Sequence, residues 1–203
     1  MAMNRFPITN VEGDLVAQHR DPDEKLYASL ELNQVAFPKT GMVVSQTPLG
    51  EAFTKAAPCE NGMWVVADKA AGAINPPAAA TDSPIGIVYT TEKEYDREHY
   101  GLQRFGRKIA GDYPRVGIFG LGDTVTTNCL QYDTTYFAND AALETALNAI
   151  GTTPLYVAIK ADSPVPQILK EANIPASGIL AKIVKYYTIP NGGKGVKYQI
   201  VRL

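Results

Sequence analysis

Cysteine and histidine are scarce in this chain: its 203 residues include Cys59 and Cys129, and His19 and His99, and no others of either type. Two cysteines cannot build a disulfide framework, and no CxxC spacing exists, so free thiols in a reducing compartment are expected. The two histidines are far apart, and neither stands at i, i+4 from another histidine or a cysteine, which leaves no helical His/Cys metal pattern. His99 lies in "EKEYDREHY" beside Glu92, Glu94, Asp96 and Glu98. That segment is read as a solvated charged face rather than a divalent-cation site. Basic runs are missing as well. The formal net charge is −2, and the densest cationic stretch, "RFGRK" at 104–108, has one aromatic and follows the acidic segment. A nucleic-acid partner is therefore not expected. No window approaches the roughly 18 apolar residues of a membrane span. The first residues, "MAMNRFPITN", lack the apolar segment of a signal peptide, so cytoplasmic synthesis is expected. There is no GxSxG elbow, and neither cysteine has neighbours that lower a thiol pKa. The chain is accordingly expected to be no enzyme and to carry no cofactor and no metal.

What is present is an ordinary globular composition, 45% hydrophobic and 20% charged. A chain of this length buries roughly 70% of its unfolded surface and needs no staples. Eleven tyrosines against six phenylalanines and one tryptophan favour half-buried strand surfaces and contact faces. Residues 1–40 are polar, weakly periodic and broken by Pro7, Pro22 and Pro38. They read as an arm that orders against a partner, although "LYASLELNQVAF" alternates like a strand. From Gly41 the texture changes to short β-rich runs, "GMVVSQT", "MWVVAD" and "IGIVYTT", separated by turn-forming segments. "CENGMWVV" sets an Asn-Gly turn directly before a strand. "NPPAAATDSP" is an exposed loop, since its prolines and alanines make no ladder.

After residue 135 the segment "NDAALETALNAIG" predicts a helix. Asn139 or Asp140 caps it, Leu143, Leu147 and Ile150 form one apolar stripe, and Gly151 ends it. "PLYVAIKA" is a strand, and "SPVPQILKEANIP" is left between a short helix and a loop. The chain closes on a hairpin. On its first strand Ile183, Lys185, Tyr187 and Ile189 share one face, and Val184, Tyr186 and Thr188 the other. "PNGGKG" makes the turn, and Val196, Tyr198 and Ile200 alternate against Lys197 and Gln199 on the return. The fold expected is mainly β: a β-barrel or sandwich-like body over 41–135, then a small α+β part over 136–203 with no flexible linker between them.

Two glycine clusters invite a phosphate-binding reading. "VGIFGLGDTVTTN" orders its glycines as GxxGxG, whereas the dinucleotide fingerprint is GxGxxG opening a helix. Here "DTVTTN" follows, rich in β-branched residues, so the glycines are read as turning a corner between two strands. In "NGGKG", Lys194 is followed by Gly195 and a strand, with no Ser or Thr to hold magnesium, so this cluster reads as a hairpin turn.

The succession "GMVVSQ", "CENGMWVVAD", "PIGIVYTTEKEYDREHYGL" and "YPRVGIFGLGDTVTTN", covering about residues 40–130, resembles the small structural proteins of tailed bacteriophages. The resemblance lies in the order of these parts and includes no chemical motif. It implies a virion protein of the capsid decoration or cement type, located on the capsid surface. Its partner would be the major capsid protein, with further copies of itself as a homo-oligomer the secondary expectation, and with no nucleic acid or membrane. A head–tail connector or tail component is the alternative within the same class. From a different class comes a small ligand-binding or hydrolytic β-domain, using the Gly120–Asp123 turn with the acidic 92–98 segment. For a decoration protein the expected contacts are residues 1–40, the loop 75–84 with Pro76 and Pro77, and the segment around Tyr95, Tyr100 and Phe105. Those three aromatics serve equally well as core residues.

Overall fold

Short β-branched runs punctuated by Gly, Pro and Asn bury their apolar faces only by pairing, and here they pair into two sheets. The computed structural model describes residues 3–6, 42–67, 69–89, 109–188 and 193–203. Its strands are β1 (Met3–Arg5), β2 (Val43–Val44), β3 (Trp64–Val66), β4 (Ile85–Val88), β5 (Val116–Ile118), β6 (Thr124–Thr127) and β7 (Gln131–Asp133). After the helix α1 (Asp140–Asn148) come β8 (Leu155–Lys160), β9 (Ser163–Lys170), β10 (Leu180–Thr188) and β11 (Lys194–Arg202). The larger sheet runs β1-β7-β9-β8-β10-β11-β6 and the smaller β2-β5-β4-β3. Every neighbouring pair is antiparallel except β7 and β9, which are parallel. The protein is mainly β with a small helical part, as its composition of strand runs implies.

The larger sheet draws β1, β6 and β7 from before residue 135 and β8 to β11 from after it. The C-terminal part is thus continuous with the body. One core lies between the sheets. Trp64, Ile85, Ile87 and Phe119 meet Val157, Ile183, Tyr198 and Ile200 there, and Leu143 and Leu147 of α1 join them. A second core covers the other face of the smaller sheet, where Val65, Val88, Val116 and Ile118 pack on Leu49, Phe53 and Ile74. Burial on both faces explains why β4 reads "IGIV", without alternation. It also explains Gly86: a Cβ there would lie 2.5 Å from Val116 Cγ1 and 2.7 Å from the Gly117 carbonyl oxygen of the adjacent strand.

The helix starts as its sequence requires. Asn139 is the N-cap, its side chain accepting from the Ala142 N–H at 2.9 Å. Leu143 and Leu147 are buried, and Ile150 packs from beyond the last turn. The helix ends at Asn148, before Gly151, because Ala149 leaves helical geometry with φ −99° and ψ 9°.

Two segments depart from the sequence expectation. "SPVPQILK" is neither helix nor loop: it is β9, an interior strand of the larger sheet. Its prolines stand where the ladder with β8 shifts register, between Lys160↔Ser163 and Ala158↔Gln167. Pro164 and Pro166 therefore occupy the irregular stretch, the place in a sheet that tolerates a missing N–H. Gln131 helps satisfy the opened backbone, donating from Nε2 to Val165 O at 2.5 Å and Ser163 Oγ at 2.9 Å.

The second departure is in β10. Its pairing with β11 shifts between Ile183 and Lys185, so Val184 is an extra residue in a bulge. One added residue exchanges the two faces beyond it. Tyr186, not Tyr187, then packs with Ile183 against the core. Lys185 and Tyr187 lie on the outer face with Lys197 and Lys182.

Candidate contact surface and the glycine-rich turn

The glycine-rich turn is closed on itself. The Gly120 N–H donates to Asp123 Oδ2 at 2.6 Å, and the Asp123 N–H returns to Gly120 O at 3.2 Å. Gly122 sits at φ +93°, a conformation that favours glycine. The turn is also fastened to β11: Gly122 N–H donates to Ile200 O at 2.9 Å, and Ile200 N–H donates to Asp123 O at 2.8 Å. The Gln199 amide reaches Gly122 O at 3.2 Å. The N–H groups of Gly120, Gly122 and Asp123 are engaged within the protein, Asp123 is fully buried, and a strand follows instead of the helix a phosphate site uses. The glycines turn the chain from the smaller sheet into the edge of the larger one. The acidic 92–98 segment that would complete a ligand site lies outside the described residues.

The interior polar groups fasten strands together. Arg5 donates to Glu60 through Nη1 at 3.4 Å and Nη2 at 3.2 Å, joining β1 to the turn that precedes β3. The Trp64 indole N–H donates to the Tyr198 hydroxyl at 2.9 Å, linking the two sheets, with their rings edge to face at 5.8 Å. Burial pushes the Tyr198 phenol far above its ordinary value. Tyr132 donates to Asp140 and accepts from the Asn4 amide at 3.3 Å, which holds β1, β7 and α1 together. Asp133 accepts from the Thr135 N–H at 2.8 Å, and that bond, working against burial, holds its carboxyl below the usual range.

Both cysteines are buried, and neither is in a disulfide. Burial raises the Cys129 thiol to about 12, only partly offset by the Arg5 guanidinium, so it stays protonated. Among the described residues no group of three or more His, Cys, Asp and Glu is placed to hold a metal, and no helix is long and apolar enough to cross a membrane. His19 and His99 lie outside those residues.

Of the expected contact residues, Tyr95, Tyr100 and Phe105 lie outside the described residues, as does the arm except for residues 3–6. Those four enter the fold: β1 pairs with β7, and Phe6 is buried in the main core. In the loop 75–84, Pro76 is half-buried and Pro77 buried. The Pro77 carbonyl accepts from the Asp162 N–H at 2.9 Å, tying the loop to the β8–β9 turn. Pro77 is thus covered by the chain itself. Ala78 and Ala79 are exposed in its place, held by their N–H groups on Asp82 Oδ2 at 2.7 and 3.0 Å.

The linear sequence does not mark the outer face of the β10–β11 hairpin as a surface. Val184 stands out from its bulge with 49% of its surface exposed. Lys185 and Lys197 face each other across the two strands, and Lys182 pairs with Gln199 on the same side. Near the end of the sheet Leu121 is 44% and Val201 41% exposed. A signal existed: residues 180–203 hold five basic residues and no acidic one. Spread at strand spacing, they form no run.

No protein-family model, curated protein or solved structure matches the chain.

Proposed function

We propose that this chain is a non-enzymatic structural protein of a tailed-bacteriophage virion, one that binds the outside of the assembled capsid and stabilises the shell as a decoration or cement protein. The observation that carries this reading is where the phage-like segments lie in the fold. "MVV", "MWVV", "IGIV" and "VGIFGLGDTVTT" supply the smaller sheet and its junction with the larger one. What resembles the phage proteins is therefore scaffold, and the polar groups within it are engaged in holding that scaffold together. A scaffold of this kind serves by presenting surface, and exposed apolar side chains such as Val184, Leu121 and Val201 are suited to contact.

Shell stabilisation does not require a strong individual contact. Many copies bridging neighbouring capsomers each bind the assembled state in preference to the disassembled one, and the assembled state gains by mass action. The partner is the major capsid protein, and the site of action is the capsid surface. The reading is tested by co-sedimentation of the purified protein with preassembled phage capsids, scored for copies bound and for heat resistance. Saturable binding at many copies per shell with raised resistance is expected. Absence of binding to expanded shells refutes the cement role and moves the chain to a connector or tail position.

A further inference from the structure

The four adjacent strands β8, β10, β11 and β6 carry six of the chain's 19 basic residues, Lys160, Lys182, Lys185, Lys194, Lys197 and Arg202, and none of its 21 acidic ones. The chain as a whole is negative, so this is a strongly cationic sector on an acidic protein. Three of the lysines share the outer face of the hairpin. Lys185 is the direct cross-strand partner of Lys197, and Lys182 pairs with Gln199 two residues further along β11. Among the described residues no carboxylate pairs with any of the three.

Like charges directly opposite each other on neighbouring strands destabilise a sheet. Here that arrangement follows from the Val184 bulge, which carries Lys185 onto the face of Lys197. Lys185 folds its ammonium over the Tyr187 ring at 4.8 Å, which softens the repulsion without neutralising either charge. From this geometry we infer that the outer face of the β10–β11 hairpin, centred on Lys182, Lys185 and Lys197 with Val184 and Tyr187 between them, docks onto a carboxylate-rich protein surface. Opposing carboxylates would relieve the Lys185–Lys197 repulsion on contact, and the sector's sign would orient the chain as it approaches.

A nucleic acid is the other polyanion to weigh, and the aromatic groups disfavour it. Single strands are held in basic grooves by free rings on which bases stack. Tyr186 is turned into the core, edge to face with Phe6 at 6.4 Å, and its hydroxyl donates to Glu144 at 3.0 Å. Tyr187 is covered by Lys185, and its hydroxyl donates to Thr126 at 3.1 Å. Neither ring offers a stacking platform. What remains is a shallow sheet face with three ammonium groups and an exposed valine.

This inference deepens the capsid-binding proposal and rests on it for the partner's identity, so its test has two arms. In the first, the full chain, the triple variant Lys182→Gln/Lys185→Gln/Lys197→Gln and the matching triple Lys→Arg variant are co-sedimented with preassembled capsids at low and high salt. The second arm measures anisotropy with labelled poly-L-glutamate and with a labelled oligothymidylate. Trp64 fluorescence checks the fold throughout. Expected are shell binding weakened about tenfold or more by the Gln changes and by salt, retention in the Arg variant, and the same ranking on poly-L-glutamate. Gln-variant binding to shells at wild-type strength overturns the inference and leaves the capsid proposal standing. If the wild-type chain binds no shell, the capsid proposal falls, and poly-L-glutamate decides: lysine-dependent binding sustains the docking face, and no binding overturns it. Tighter lysine-dependent binding to the oligothymidylate overturns it in favour of nucleic acid.

Discussion

Gly86 and Gly122 separate two physical demands that a glycine can meet, and substituting alanine at each gives different outcomes. At Gly122 the φ of +93° is the whole constraint, since a Cβ built there has no atom within 4 Å. Forcing an L-residue into left-handed backbone costs about 1–2 kcal/mol. At Gly86 the added Cβ would stand 2.5 Å from Val116 Cγ1 and 2.7 Å from the Gly117 carbonyl oxygen. A side-chain methyl yields to some extent, but a carbonyl within a hydrogen-bonded strand moves only if β5 separates from β4. Overpacking of this kind costs about 3 kcal/mol. In a chain of this length each kcal/mol moves Tm by about 2–4 °C, so Gly122→Ala is expected to lower Tm by about 2–8 °C and Gly86→Ala by about 6–12 °C. The single tryptophan, Trp64, is buried in the core between the sheets, so its emission reports the transition directly. Paired thermal and urea denaturation of both variants is the assay. A neutral or stabilised Gly122→Ala would refute the turn argument. Greater damage at Gly122 than at Gly86 would show that the glycine-rich turn has a demand beyond backbone conformation.

Three further outcomes follow from the interior. Tyr198→Phe leaves the buried Trp64 N–H without its acceptor and is expected to cost about 1–3 kcal/mol in urea titrations; a change under about 0.5 kcal/mol would contradict the 2.9 Å bond. Cys129, buried and raised to about 12, is expected to resist a thiol-specific chromogenic reagent at pH 8 until the protein unfolds, and labelling at the rate of a free thiol would refute its placement. Asp133, held below its ordinary value chiefly by the Thr135 N–H, contributes stability that is present above the unfolded carboxylate pKa of about 3.9 and lost as pH falls through the lower folded value. Asp133→Asn is therefore expected to flatten the acid limb of a stability–pH curve, and an unchanged limb would count against this.

Much of the fold was legible because its signals are local. Alternation marked β11, and the "PLYVAIKA" run marked β8. Asn139 announced the start of α1 through a bond to an N–H within its own first turn. The β-branched run after Gly122 identified the glycine cluster as a corner, and the Asp123–Gly120 bond shows how that corner closes. Each of these is settled within a few residues, where propensity and capping act. The contact surface was much less legible. The sequence marks Pro76 and Pro77 as loop residues, but their exposure depends on what packs over them. The lysines of the hairpin form no contiguous run, and only strand pairing brings them onto one face.

By itself, then, the sequence determined the β-rich class, the helix that Asn139 caps, the C-terminal hairpin and the structural use of the glycines at 117–122. Only the tertiary structure decided that "SPVPQILK" is an interior strand, because its prolines are tolerated only where the partner ladder opens. Only the pairing of β10 with β11 decided which face Tyr186 and Lys185 occupy. Register belongs to two strands at once, and one bulged residue, Val184, exchanges core and surface for every position that follows. The same pairing placed Lys185 opposite Lys197. Residues far apart in the chain meet when strands align, and no property of either segment alone specifies that meeting.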